Sequence, residues 1–230
     1  MTILRSRRTE RRLEHRSIIV VDIAGSGRWH NQTLLRARDV LTTAVHAGLA
    51  AAGVNRAFVE HCGDGMILLI PARVSKIDLL DPVIPTIADH IHAHNTTASQ
   101  RIRLRVAVHA GEVHRDPHGW VGTDLITTCR LVNGEPLYRE LRHPTQPDVV
   151  VVVSDLIYQA VVRHHYRGID PAEYTPTHIQ VKETDTLAWL HTPHHDLAEP
   201  SPAIPGPAPG AAVPSSRSAL SAFKPRFRRL

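Results

Sequence analysis

Residues 17–23 read SIIVVDI, an unbroken run of β-branched side chains closed by an aspartate. A strand with one wet face alternates apolar and polar residues, so this run marks a strand covered on both faces. Gly25-Ser26-Gly27 then breaks the chain. From Gln32 to Ala52, apolar residues at Leu34, Leu41, Val45, Leu49 and Ala52 recur at helical spacing without a proline, and Gly53 supplies a stop. A doubly covered strand followed by an amphipathic helix is the opening unit of a layered αβ fold.

Working outward, residues 57–62 and 66–70 read as two short strands joined by Gly63-Asp64-Gly65, a hairpin signal. Residues 78–94 read as a helix, with Pro82 and Pro85 marking its true start. Residues 102–109 form another strand, alternating Arg with Leu or Val. A helix follows over 123–132, a strand over 149–153, and a helix over 155–162 capped by Ser154 or Asp155. Residues 178–181 and 186–190 close as a hairpin. The order β-α-β-β-α-β, with strands and a helix added after it, predicts an α+β fold with a ferredoxin-like core.

The chain has 230 residues, 42% hydrophobic and only 4% aromatic, so its core is built from Val, Ile, Leu and Ala. No apolar run approaches the roughly 20 residues of a membrane helix. The first residues lack the apolar stretch of a secretory signal, and Cys62 and Cys129 are too few for a disulfide framework. A reduced, cytoplasmic protein is expected, with no membrane partner. The formal charge of +5 belongs to the ends: residues 1–16 hold six Arg, and residues 217–230 hold five Lys or Arg and no acid. Without them, 27 − 11 leaves 16 bases against 22 − 2, or 20, acids. The body is therefore acidic, and nucleic acid is not the expected partner. Six of the fifteen residues from 200 to 214 are proline. The expected organisation is a basic extension over 1–14, a catalytic-type domain over 15–195, and a Pro/Ala-rich linker with a basic tail over 196–230.

Two aspartates occupy informative places. Asp22 closes the apolar strand, and Asp64 sits in the hairpin turn. A carboxylate ending a buried strand is costly unless it is paired or binds a cation. Two of them on neighbouring strand ends suit Mg²⁺ or Mn²⁺, which favour oxygen ligands; a turn aspartate and a helix cap are the alternative. Ala24, Gly25 and Ser26 directly follow Asp22 and could bring backbone N–H groups to an anion. Lys182, one of three lysines, is a candidate point charge for a triphosphate.

In order and spacing, VVDIAGSG, CGDGMILL, LRVAVHAGEV, VGTDLITTCRL and VKETDTLAW resemble the class III nucleotidyl cyclase catalytic domain, the adenylate and guanylate cyclase family. The resemblance spans about residues 15–192. It implies that Asp22 and Asp64, with the Ile23 carbonyl, ligate two Mg²⁺ or Mn²⁺ ions. It places Glu60, four before Asp64, against the base, where a carboxylate suits guanine. The second base position, three before Gly122, is Gly119, which matches neither the adenylate nor the guanylate pattern. Arg130, eight after Gly122, matches the transition-state arginine, and Lys182 the phosphate-binding lysine. The family asparagine, four after Gly122, is replaced by Ile126, with Asp124 or Thr127 as nearby substitutes.

The resemblance further implies a head-to-tail homodimer with sites at the interface and a nucleoside triphosphate substrate. Attack of the ribose 3′-hydroxyl on the α-phosphorus would give a 3′,5′-cyclic nucleotide and pyrophosphate. Arg130, Asp22 and Asp64 would be the catalytic residues, and Glu60, Gly119, Ile126, Lys182, Ala24, Gly25 and Ser26 would bind substrate. Compact cyclases of bacterial phage defence, which make cyclic UMP or cyclic CMP, are similar too. A pyrimidine substrate and a binding domain without turnover are therefore the alternatives. The downstream effector is not identified by the sequence. His90 and His94 share a helix face that is expected to be solvated, with His92 turned away from them; His109 is expected to be structural, and both cysteines are expected as small apolar fillers.

Overall fold

The computed structural model describes residues 12–143 and 147–193. In chain order the first elements are β1 (Arg12–Ile23), α1 (Asn31–Ala51), β2 (Phe58–Cys62) and β3 (Gly65–Pro71). Next come α2 (Lys76–Asp78), α3 (Ile84–Asn95), β4 (Leu104–Asp116), β5 (Gly119–Val121), α4 (Thr123–Leu131) and α5 (Glu135–Leu141). The chain continues through β6 (Val149–Ser154), α6 (Asp155–Ala160), β7 (Thr175–Val181) and β8 (Thr184–His191). The expected extension over 1–14 lies mostly, and the linker and tail over 196–230 wholly, outside the described residues.

The strands form one mixed sheet in the order β2-β3-β1-β4-β6-β8-β7, with β5 paired to β4. Its first four strands are mutually antiparallel neighbours, the ferredoxin-like arrangement. β6 then adds parallel to β4, and the β7–β8 hairpin completes the sheet.

Both faces of β1 are covered, as its composition demands. Ile19, Val21 and Ile23 pack toward α1 and α3, against Leu41, Val45, Ile87 and Ile91. Ile18 and Val20 pack the other way, in a cluster with Leu125 and Leu131 of α4 and Leu137 and Leu141 of α5. β6 repeats this split: Val149, Val151 and Val153 join the first cluster, and Val150 and Val152 the second. Each fully buried Ile or Val contributes about 1.5–3 kcal/mol by leaving water.

Several elements differ from expectation. β1 begins five residues before Ser17, because Arg12–Arg16 pair with the far end of β4, from Gly111 to Arg115. β4 correspondingly runs on to Asp116 and turns back into β5. The helix expected over 78–94 is divided. α3 starts at Ile84 with Pro85 in its first turn, while the extended backbone of Asp81 separates it from the preceding turns. α5 was not expected, since Glu135–Leu141 is short and carries only two buried aliphatic residues besides Pro136. Ser154, not Asp155, caps α6, its hydroxyl accepting from the Ile157 N–H at 3.4 Å.

Candidate active site

Asp22 lies one residue from the end of β1, level with Gly65 on β3 and Arg105 on β4. Only glycine fits at position 65, because a Cβ there would collide with the Val21 carbonyl. That close approach brings the β2–β3 turn, where Gly63 takes a φ of +64°, up to Asp22. Asp64 stands in this turn, and its carboxylate accepts from the Ser26 hydroxyl. Ser26 is buried, so its hydroxyl positions Asp64. The two carboxylates are near enough to interact. Burial above all, and then the Asp64 charge, pushes the Asp22 carboxyl above its ordinary range, against the pull of Arg105.

Sequence reasoning missed Arg105. Its guanidinium contacts the Asp22 carboxylate and lies 3.9 Å beneath the Tyr138 ring. Burial opposes its charge, but Tyr138 and Asp22 outweigh burial and keep it protonated. Its Nε and Nη1 are buried without a hydrogen-bond partner among the described residues. The signal was available: an arginine inside an apolar strand is as costly as the aspartate that singled out residue 22.

The loop after Asp22 divides its roles. The Ile23 side chain is core, and its backbone pairs with Leu104. The Ala24 N–H is committed to the Arg103 carbonyl at 2.8 Å and so is unavailable to an anion. Gly25 takes a φ of +76°, which turns the chain toward α1.

The other expected residues gather elsewhere. Arg130 on α4 reaches the β7–β8 turn, donating to Thr184 Oγ1 at 3.2 Å and pairing with Glu183. Lys182, exposed, belongs to the same turn. Ile126 is 46% exposed on α4. Gly119 opens β5, and Trp120 beside it packs 5.9 Å from Phe58. Glu60 is exposed on β2, two residues from Phe58 and therefore on the same strand face.

These groups do not converge within one chain. β8 lies three strands from β1, about 14 Å at ~4.8 Å per strand. Lengthwise, Asp22 is level with Arg105, whereas Ala188 is level with Ser154, one residue past the partner of Val108. Thr184 lies four residues further along, away from Asp22. The sheet thus sets Asp22 and Asp64 apart from Arg130 and Lys182.

Asp124 does not stand in for the missing amide at Ile126. Its carboxylate accepts from the Glu112 N–H at 2.7 Å and meets His109 Nε2 at 3.3 Å. His109 is buried, and its Nδ1 lies 2.8 Å from Ser154 Oγ, so it is structural as expected. Burial holds its pKa below the usual value despite Asp124. Among the helix histidines, His92 bonds buried Asp148 at 3.0 Å. Cys129 packs in the second core cluster, but Cys62 is exposed at the end of β2 and is not a filler. Partial burial raises both thiols, so neither is an activated thiolate.

Among the described residues no group of three or more His, Cys, Asp or Glu could hold a metal ion. The pair Asp22 and Asp64 nevertheless fits Mg²⁺ or Mn²⁺, which bind through one or two carboxylates and keep places for water and phosphate. Their mutual repulsion is itself relieved by a cation. No helix among the described residues is long and apolar enough to cross a membrane.

No protein-family model and no curated protein matches the chain. Solved structures do. The guanylyl cyclase Cya2 aligns with a TM-score of 0.57 at 13% identity, covering 81% of this chain and 96% of that one. An adenylate/guanylate cyclase/hydrolase from Silicibacter pomeroyi aligns at 0.59 and 18% identity, covering 80% and 99%. The adenylyl cyclase CyaB from P. aeruginosa aligns at 0.54 and 11%, covering 81% and 98%. At such identities the likeness is one of fold, and it spans nearly the whole of each neighbour. The chain has the class III nucleotidyl cyclase fold.

Proposed function

We propose that this protein is a nucleotidyl cyclase, converting a nucleoside triphosphate to a 3′,5′-cyclic nucleotide and pyrophosphate between two copies of the chain. The observation that carries this reading is the pair Asp22 and Asp64, held on adjacent strand ends by Arg105 and Ser26. The separation of this pair from Arg130 and Lys182 supports the dimer, because a head-to-tail arrangement lets one copy's arginine and lysine meet the other's aspartates.

Asp22, Asp64 and the Ile23 carbonyl would hold two Mg²⁺ or Mn²⁺ ions, which when bound lower the pKa of the 3′-hydroxyl and offset phosphate charge. Arg105, whose guanidinium contacts the Asp22 carboxylate, would bind phosphate beside it. Arg130, prealigned by Thr184 and Glu183, stabilises charge developing on the α-phosphate. Lys182 adds a point charge for the leaving phosphates. Glu60 accepts from the N1–H and amino group of guanine, which favours GTP.

A second reading of the base rests on Trp120. Its indole and Phe58 put two large rings at the Glu60 and Gly119 end, which suits the smaller ring of UTP or CTP. Turnover products separate the two readings.

The dimeric site is tested by mixing Asp64→Ala with Arg130→Ala. Each variant alone is expected to be inactive. Random pairing restores one intact site per mixed dimer, or about a quarter of wild-type activity. Active wild type with no recovery on mixing overturns the shared site.

A further inference from the structure

A cavity of about 260 Å³ lies between the first turns of α1 and the segment that joins α3 to β4. Ala37 and Ile102, both buried, give it an apolar floor together with Ala98. Thr33, Arg36, His94 and Ser99 give it polar walls, and among the described residues no carboxylate lines it. It belongs to the face of the sheet covered by α1 and α3, whereas Asp22, in step with Ile18 and Val20, faces α4 and α5. The cavity is therefore separate from the metal and phosphate positions of the proposed reaction.

Its frame is fixed by the chain's own hydrogen bonds. The Asn95 side chain donates to the Ile102 carbonyl at 2.7 Å and accepts from the Ile102 N–H at 2.8 Å, which pins the ends of the 96–101 segment together. The Ala98 N–H donates to the His94 carbonyl at 3.1 Å, so the helical turn continues as far as Ala98. Arg36, by contrast, has no hydrogen-bond or ion-pair partner for its side chain among the described residues. Its guanidinium is a planar fork that matches the two oxygens of a carboxylate. Two hydroxyls and an imidazole stand beside it as neutral donors. One fork offsets one negative charge, and the floor accepts hydrocarbon. The lining thus suits an organic monoanion better than phosphate or pyrophosphate.

We propose that this cavity binds a small monocarboxylate, with its two oxygens on Arg36 and its hydrocarbon against Ala37, Ala98 and Ile102. The volume is below the roughly 300–1,000 Å³ of drug-sized sites, which suits a ligand of a few carbons. A free carboxylic acid and the C-terminal carboxylate of a peptide carry the same chemistry. Binding needs no metal, nucleotide or second copy, so the inference stands or falls separately from cyclisation.

The test is an NMR titration of the isotope-labelled full chain with sodium butyrate, with sodium chloride holding the ionic strength constant and sulfate as the control for general anion attraction. Saturable shifts of the Ala98, Ser99 and Gln100 amide signals are expected. Acetate should bind about tenfold more weakly, because two methylenes leave the apolar floor. Arg36→Gln, at an exposed helix position, should weaken butyrate by about tenfold or more, and Arg36→Lys should restore part of the loss. Asp64→Ala should leave the affinity unchanged. A short peptide with a free C-terminus, run beside its amidated form, separates the two sources. Tighter binding of the free-ended peptide than of butyrate supports a peptide terminus, and weaker binding supports a free acid. No saturable shift at these amides, equal affinities for acetate and butyrate, sulfate binding as tightly as butyrate, or butyrate binding unchanged by Arg36→Gln overturns the proposal, whatever the turnover assays show.

Discussion

Asp22 and Arg105 stand opposite one another on neighbouring strands, with the guanidinium hydrogen-bonded to the carboxylate and 3.9 Å from the Tyr138 ring. Removing the carboxylate leaves a buried, uncompensated cation, a loss of about 3–5 kcal/mol. Asp64 is bonded to a hydroxyl, and its removal costs about 1 kcal/mol. Urea denaturation should therefore rank Asp22→Ala far below Asp64→Ala in stability, although both lose activity. Equal midpoints would contradict the pairing.

Ile126 offers no hydrogen bond from an exposed position on α4. If an amide at this place orients the ribose, Ile126→Asn supplies one without disturbing the core. The expected gain in kcat is about 10²-fold, the scale of a single oriented donor in a transition state. An unchanged kcat with intact folding would show that position 126 takes no part in positioning the ribose.

His109 links β4, β6 and α4 as a neutral ring. Its folded pKa lies below the ordinary imidazole value of 6.5, so the unfolded chain takes up the proton first as pH falls. Its contribution is intact above 6.5 and is lost below it, toward the depressed folded value. Between about pH 7.5 and about pH 5.5, wild type should lose more stability than His109→Gln, measured by denaturation midpoints. Parallel losses would remove His109 as the cause.

Asp148 holds three elements together. Its buried carboxylate accepts from Asn95 at 2.6 Å and Arg101 at 2.7 Å and meets His92 at 3.0 Å. Desolvation would raise its pKa, but these hydrogen bonds prevail and lower it. Asp148→Ala should cost roughly 2–4 kcal/mol by stranding its partners. Thermal melts of this variant beside Asp39→Ala, at an exposed position on α1, provide the check, and equal losses would contradict it.

The readable part of the site was the part with local cause. SIIVVDI demands cover on both faces, and Gly63-Asp64-Gly65 demands a tight turn, so Asp22 and Asp64 were found with their strands. Arg105 was not, because Arg103 and Arg105 alternate with Leu104 and Val106 in the manner of a half-solvated strand. What buries Arg105 is Tyr138, on a seven-residue helix whose sequence has too few apolar positions to show a period. β5 escaped for a similar reason: three residues carry no periodicity, and pairing with the extension of β4 makes them a strand. The commitment of Asp124 to His109 and Glu112 is likewise tertiary, and nothing in its neighbourhood along the chain announces it.

The central claim is turnover, and the most direct measurement incubates the purified full chain with ATP, GTP, UTP or CTP and Mn²⁺, quantifying cyclic nucleotide and pyrophosphate beside Asp64→Ala. A 3′,5′-cyclic product and an equal amount of pyrophosphate are expected, both lost in the variant, with GTP the preferred substrate through Glu60. A preference for UTP or CTP would transfer the base reading to Trp120 and keep the cyclase. No cyclic product from any of the four, from a folded protein that still binds nucleotide, would contradict the account.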